Sequence, residues 1–174
     1  MNAVRKAIFI DGSFIFHTSM KLNFRIDYKK FLEFMLGNDY LTNATYYTAL
    51  PPENEIEAKH RAFIKVLKKD VRLKVKSIPL LKINGGGGGN DSCYSKGEDV
   101  MLACEMVRGA ALDYYDVAVL VSGDGDFVPA VQMVQELGKR ILVVSFSHSL
   151  NNVLDMEANA VILIDKHMKE LSLT

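Results

Sequence analysis

The sequence predicts a three-layer α/β/α protein with a mostly parallel central sheet, and three observations predict it. Short apolar runs alternate with longer amphipathic segments along the 174 residues. The runs at 7–10, 117–121 and 141–144 are apolar almost throughout, as strands covered on both faces must be. The segments between them have the length of crossover helices, which join parallel strands with a right hand.

Each element has its own signal. Residues 7–10 (Ala-Ile-Phe-Ile) form a strand. Residues 27–36 form a helix, with Phe31, Leu32, Phe34 and Met35 spaced for one face. Residues 44–50 are a second strand, stopped by Pro51 and Pro52. Residues 53–69 read as a charged helix with Ile56, Phe63, Ile64 and Leu67 as its buried stripe. Residues 71–76 alternate strictly between apolar and basic, the pattern of a strand with one polar face and of an edge guarded by lysines. Residues 99–112 are helical, 116–122 a buried strand, and 127–137 a helix closed by Gly138. A strand at 141–144, a helix at 149–158, a short strand at 161–164 and a final helix complete the chain.

This length fits one domain spanning 1–174. A hydrophobic content of 49% with 24% charged residues suits a water-soluble protein, and no apolar run is long enough to cross a bilayer. The first residues lack the apolar region and cleavage site of a signal peptide. Cys93 and Cys104 have neither disulfide-framework nor zinc-site spacing and suit reduced thiols, so a cytoplasmic location is expected. Net charge is zero, yet nine Lys/Arg against Asp70 alone fall between Lys59 and Lys82. Such a segment attracts phosphate backbones, although a solvated helix followed by a guarded edge reads the same way.

In a doubly wound sheet the cleft lies beyond the carboxyl ends of the strands, at the switch point. The first strand ends in Asp11-Gly12-Ser13, and the strand at 116–122 ends in Ser122-Gly123-Asp124-Gly125-Asp126. Ser95 and Glu98 have the spacing of a capping box, which puts Asp99 in a first helical turn at the same rim. Taken singly, Asp11 suits a turn, Asp99 a helix N-terminus and Asp126 an N-cap. Together, four carboxylates facing one cleft need raised pKa values or a cation. Mg²⁺, with its preference for oxygen ligands, waters and phosphates, suits the arrangement. Gly12, Gly123 and Gly125 suit tight turns and close approach of a substrate.

Four blocks then carry a resemblance: Phe9–Ser13, Lys96–Ala103, Val121–Phe127 and Leu137–Val144. In that order they resemble the NYN domain in its bacterial LabA-like branch, and residues 150–164 resemble its closing helix and strand. The resemblance implies a PIN-like, Rossmann-like fold and a metal-dependent ribonuclease acting on RNA with Mg or Mn. It implies metal-binding, catalytic carboxylates at Asp11, Asp99, Asp124 and Asp126, with Ser13 and Ser122 orienting them. Lys96 is a candidate contact for a scissile phosphate. Phe14 stands where the family commonly has Asn, and Glu98 where an apolar residue is usual. Phe14 therefore also leaves room for a non-catalytic module that binds nucleic acid or a protein partner.

The remaining features are bland. Gly85–Gly89 lacks Walker spacing, so residues 84–95 read as a flexible Gly-rich loop within the domain. The four histidines do not pair at ligand spacing and read as surface or packing residues, with His148, after a central strand, the one that could instead line the cleft. Glu105 falls on a different helix face from Asp99 and is not counted as a ligand. A phosphatase of the haloacid-dehalogenase kind needs a carboxylate where Ser13 stands. The edge at 71–76 leaves a homodimer open.

Overall fold

The computed structural model describes residues 3–50, 58–79, 81–83, 92–94 and 97–173. Within them the chain forms β1 (Arg5–Asp11), α1 (Gly12–Lys21), α2 (Tyr28–Leu36), β2 (Tyr40–Leu50), α3 (Ala58–Leu67) and β3 (Leu73–Pro79). It continues through β4 (Leu81–Ile83), β5 (Ser92–Tyr94), α4 (Glu98–Ala111), β6 (Val117–Val121), α5 (Val128–Glu136) and β7 (Arg140–Ser145). The last elements are α6 (Asn152–Glu157), β8 (Ala160–Leu163) and α7 (Met168–Leu171). Among the described residues, six strands form a fully parallel sheet in the order β3-β2-β1-β6-β7-β8.

That order reverses direction between β1 and β6, which pair from Lys6↔Val117 to Ile10↔Val121. Right-handed crossovers running outward in opposite directions put their helices on opposite faces. Accordingly Ile15, Phe31, Leu32, Met35, Ile64, Leu67 and Leu171 pack from α1, α2, α3 and α7 onto Ile8, Ile10, Val119 and Val121. On the other face Leu102, Met106, Ala110, Val131, Val134 and Leu154 pack from α4, α5 and α6 onto Ala7, Phe9, Ala118 and Leu120. The expected three-layer α/β/α architecture is what forms. A fully buried leucine such as Leu32 or Leu102 stabilises by about 1.5–3 kcal/mol over an exposed one.

Local signals fix the ends. Asp27 Oδ1 accepts from the amides of Lys29 and Lys30 at 3.0 and 3.2 Å and starts α2. Gly138, at φ +76°, ends α5 in the left-handed region, with Lys139 N donating to Val134 O. The alternating strand β3 is at the edge of the sheet, as its lysines suggested.

Three local readings change. Gly12–Lys21 is a helix that the sequence did not announce: Gly12, His17, Thr18 and Ser19 are poor helix formers. It forms because Asp11 caps it and Ile15 is buried against the sheet. The glycine-rich loop expected over 84–95 falls largely outside the described residues, but Ser92–Tyr94 within it is strand, antiparallel to Leu81–Ile83. Ser95, the expected capping residue, also lies outside them, as do residues 53–57 of the third expected helix. Helix α4 is capped by Gly97 without a side-chain bond. Among the described residues no helix is long and apolar enough to cross a membrane.

Candidate active site

The parallel pairing of β1 with β6 brings Asp11 and the 122–126 segment to the same rim. A cleft of about 370 Å³ opens there. Asp11 forms its base, Asp124 and Gly123 one side, and Asp99, from the first turn of α4, another. Ser13, Phe14, His17 and Thr18 line it from α1, and Ser149 from the loop after β7.

Asp11 is 5% exposed and is held at both oxygens. Its Oδ1 accepts from Phe14 N at 2.9 Å, capping α1, and its Oδ2 accepts from Ser122 Oγ at 2.9 Å. Ser122 Oγ in turn accepts from Asp124 N at 3.2 Å, so one hydroxyl links the ends of the two central strands. Asp124 caps the short 3₁₀ turn Gly125–Phe127 through Asp126 N, at 2.9 Å. Asp126 is therefore not an N-cap: α5 starts after Phe127 without a side-chain bond, and Asp124 caps only the turn before it. Asp126 stands exposed beside it at the outer rim and does not line the cleft.

Ser13 Oγ donates to Glu98 Oε1 at 3.1 Å. Glu98 is buried, the first residue of α4, and its charge acts on both Asp11 and Asp99. Sequence reasoning assigned Glu98 to a capping box and missed it as a fifth carboxylate of the site. Gly97 enters α4 at φ +122°, a conformation closed to most side chains, and this turn aims Glu98 inward while Asp99 faces the cleft. Tyr46, also missed, donates from its hydroxyl to Gly12 O at 3.0 Å and fixes the β1–α1 turn. The three glycines serve close packing within the protein. A Cβ on Gly123 would stand 2.1 Å from Ser149 O, one on Gly12 2.4 Å from Tyr47 O, and one on Gly125 2.7 Å from Asn151 Nδ2.

The histidine reading also changes. His17 lines the cleft, whereas His148 lies against the Phe146 ring, centroids 6.1 Å apart. Positions 13, 14, 17 and 18 share one helical face, so a helix recognised at 12–21 would have found them. Phe14, in the place of the usual Asn, rests on Phe146 with centroids 6.1 Å apart. Glu105 is indeed elsewhere: Lys76 Nζ and the Tyr47 hydroxyl each take one of its oxygens. Lys96 lies outside the described residues.

The carboxylates repel. Burial, then the Asp124 and Glu98 charges, push the Asp11 carboxyl above its usual range, against the hydrogen bonds from Phe14 and Ser122. Asp99 is pushed up to about 6 by desolvation and by the charges of Asp11, Glu98, Asp124 and Asp126. Among the described residues no lysine, arginine or histidine forms an ion pair with Asp11, Asp99 or Asp124. Among them, too, no three His, Cys, Asp or Glu side chains are gathered so as to hold a metal ion. In kind, the donor set still fits a hard divalent cation, which uses one or two carboxylates and completes its shell with water.

A folded pKa above the unfolded 3.8 means the folded chain binds the Asp99 proton more tightly. The stabilisation is present at low pH and fades as pH rises from about 4 through about 6. Asp99→Asn is therefore expected to melt higher than the parent at pH 7.5 in EDTA, by roughly 1–2 °C, with the gap closing at pH 4.5. A gap that does not change between those pH values would contradict this assignment.

Fold and cleft together define a doubly wound α/β protein that gathers carboxylates beyond the carboxyl ends of its two central strands. The chain belongs to the NYN domain family, whose model matches residues 5–165. It is 29% identical over 143 residues to the Low amplitude and bright protein LabA of Synechococcus elongatus, covering 81% of this chain and 73% of that protein. It is also similar to the crystal structure of a protein of unknown function, VPA0982 from Vibrio parahaemolyticus. The TM-score is 0.77 at 22% identity, over 98% of this chain and 97% of that one, a likeness of fold alone.

Proposed function

We propose that this protein is a metal-dependent ribonuclease, hydrolysing phosphodiester bonds with Mg²⁺ or Mn²⁺ held by Asp11, Asp99 and Asp124. One observation carries the reading: Asp11, buried and held at both oxygens, shares a cleft with Asp99 and Asp124, and no described cation offsets their charges. A bound divalent ion there supplies a water of lowered pKa and a clamp for phosphodiester oxygens. The chain's own residues do the positioning. Ser122 fixes Asp11 and the Asp124 amide together, and Ser13 orients Glu98. Asp126 adds negative charge from the rim. Phe14 supplies an apolar wall, and Lys96 enters from sequence alone as a phosphate contact. With this reading goes a single cytoplasmic domain, with the β3 edge open to a second copy.

Phe14 and the absence of a gathered trio of ligands among the described residues favour a second reading, a non-catalytic NYN module that binds nucleic acid or a protein partner. Incubation with mixed RNA and DNA, with and without Mn²⁺, decides between them. We expect Mn²⁺-dependent loss of RNA, removed in Asp124→Asn with its melting curve intact. Unchanged cleavage by that variant would remove Asp124 from the site. A wild-type protein with no saturable Mn²⁺ response would leave the non-catalytic module.

A further inference from the structure

A second cavity, about 430 Å³ and larger than the carboxylate cleft, lies on the α4 face of the sheet. It exists because α4 covers β1 and β2 on this face but stops short of the edge strand β3. Leu73 and Val75 point to the α3 face and pack there, so Lys74 and Lys76 point into the gap. Arg108 approaches from α4, and Thr42 and Asn43 from β2. The floor is apolar: Phe9, Tyr115 at 1% exposure, and Gly109, where even a Cβ would stand 2.8 Å from the Tyr115 ring. Tyr114, 58% exposed, adds an open aromatic face.

The charges are unequally matched. Glu105, the acid among the lining residues, has one oxygen on Lys76 Nζ and the other on the Tyr47 hydroxyl at 2.7 Å. Among the described residues neither Lys74 nor Arg108 ends on a carboxylate. Three cations thus face one carboxylate in a protein of zero net charge. The basic segment 59–82 does not act as one surface. Arg72 is taken by Asp70 at 2.6 Å, and α3 lies on the opposite face, leaving Lys74 and Lys76, among the described side chains, as its contribution here.

From this geometry we propose that the groove is a second, phosphate-binding site that takes a nucleotide unit. Lys74 and Arg108 hold the phosphate, Lys76 is kept in place by Glu105, and the base lies against Tyr114. The phosphate belongs either to a free mononucleotide or to a nucleic-acid strand, and the chemistry of recognition is the same. Nothing in this site requires cleavage at the carboxylate cleft.

The test is binding in EDTA, where metal-dependent cleavage is silent, with AMP and a short labelled oligoribonucleotide as separate probes. Lys74→Ala combined with Arg108→Ala is expected to weaken binding about tenfold or more. For the oligonucleotide it should flatten the slope of log affinity against log salt by about 0.7, the value for one lost phosphate on a single strand. Glu105→Gln, which frees Lys76, is expected to tighten binding. Loss for AMP as well as the oligonucleotide supports a single-nucleotide pocket, and loss confined to the oligonucleotide supports a strand track. An unchanged dissociation constant in the double variant, or no binding of either probe by the wild type, overturns the site. The nuclease reading stands or falls separately, on cleavage with Mn²⁺.

Discussion

Asp11→Asn is expected to lower Mn²⁺-dependent cleavage of RNA by about a thousandfold, roughly 4 kcal/mol of lost transition-state stabilisation, while the protein stays folded. The side chain has two tasks that this substitution separates. As a cap it accepts from Phe14 N, and an asparagine oxygen does the same. As a carboxylate it contributes negative charge to the cleft, which asparagine cannot. Ser122 Oγ, which now donates to Oδ2, has a spare lone pair and a rotatable proton, so it can accept from an amide instead. Burial already disfavours the ionised form of Asp11, so the neutral variant is expected to melt at or above the parent temperature at pH 7.5. Cleavage within tenfold of wild type by a folded Asp11→Asn protein would end the assignment of this residue.

Gly123→Ala carries the largest expected loss of stability. The new methyl group would sit 2.1 Å from Ser149 O and 2.7 Å from Ser145 Oγ, both fixed parts of the loop and strand beside it. The backbone cannot simply back away, because Gly123 O accepts from Asn151 N at 3.0 Å and Asp124 N is tied to Ser122. Opening that contact is expected to cost about 3 kcal/mol, lowering the melting temperature by roughly 6–12 °C. It also displaces Asp124, so cleavage should fall with stability. Gly138→Ala is the control. Nothing lies within 4 Å of its Cβ, and only the φ of +76° opposes it, at about 1 kcal/mol. A Gly123→Ala protein that melts within about 2 °C of the parent would show that the loop yields more easily than its hydrogen bonds imply.

Much of the fold was legible in the sequence. The buried runs at 7–10, 117–121 and 141–144 became neighbouring central strands, and the lysine alternation of 71–76 became an edge. Asp11, Asp99 and Asp124 were found from their position after strands or at a helix start, and the cleft contains all three. These signals are local: a strand buried on both faces must be apolar whatever packs on it. The misses share a different cause. Helix α1 has weak propensity and forms because Asp11 caps it and the sheet buries Ile15. Glu98 looked like half of a capping box until Ser13, 85 residues earlier, was seen to hold it.

The sequence by itself determined which segments are buried and where the carboxylates fall relative to them, since periodicity and strand ends are written in neighbouring residues. Only the tertiary structure decided that Asp11 and Ser122, 111 residues apart, share a hydrogen bond, that Asp126 stands outside the cleft, and that Lys74 meets Arg108 across a groove. Such pairings depend on strand order and on which face each crossover takes, and chain-distant contacts leave no pattern in any single stretch of residues.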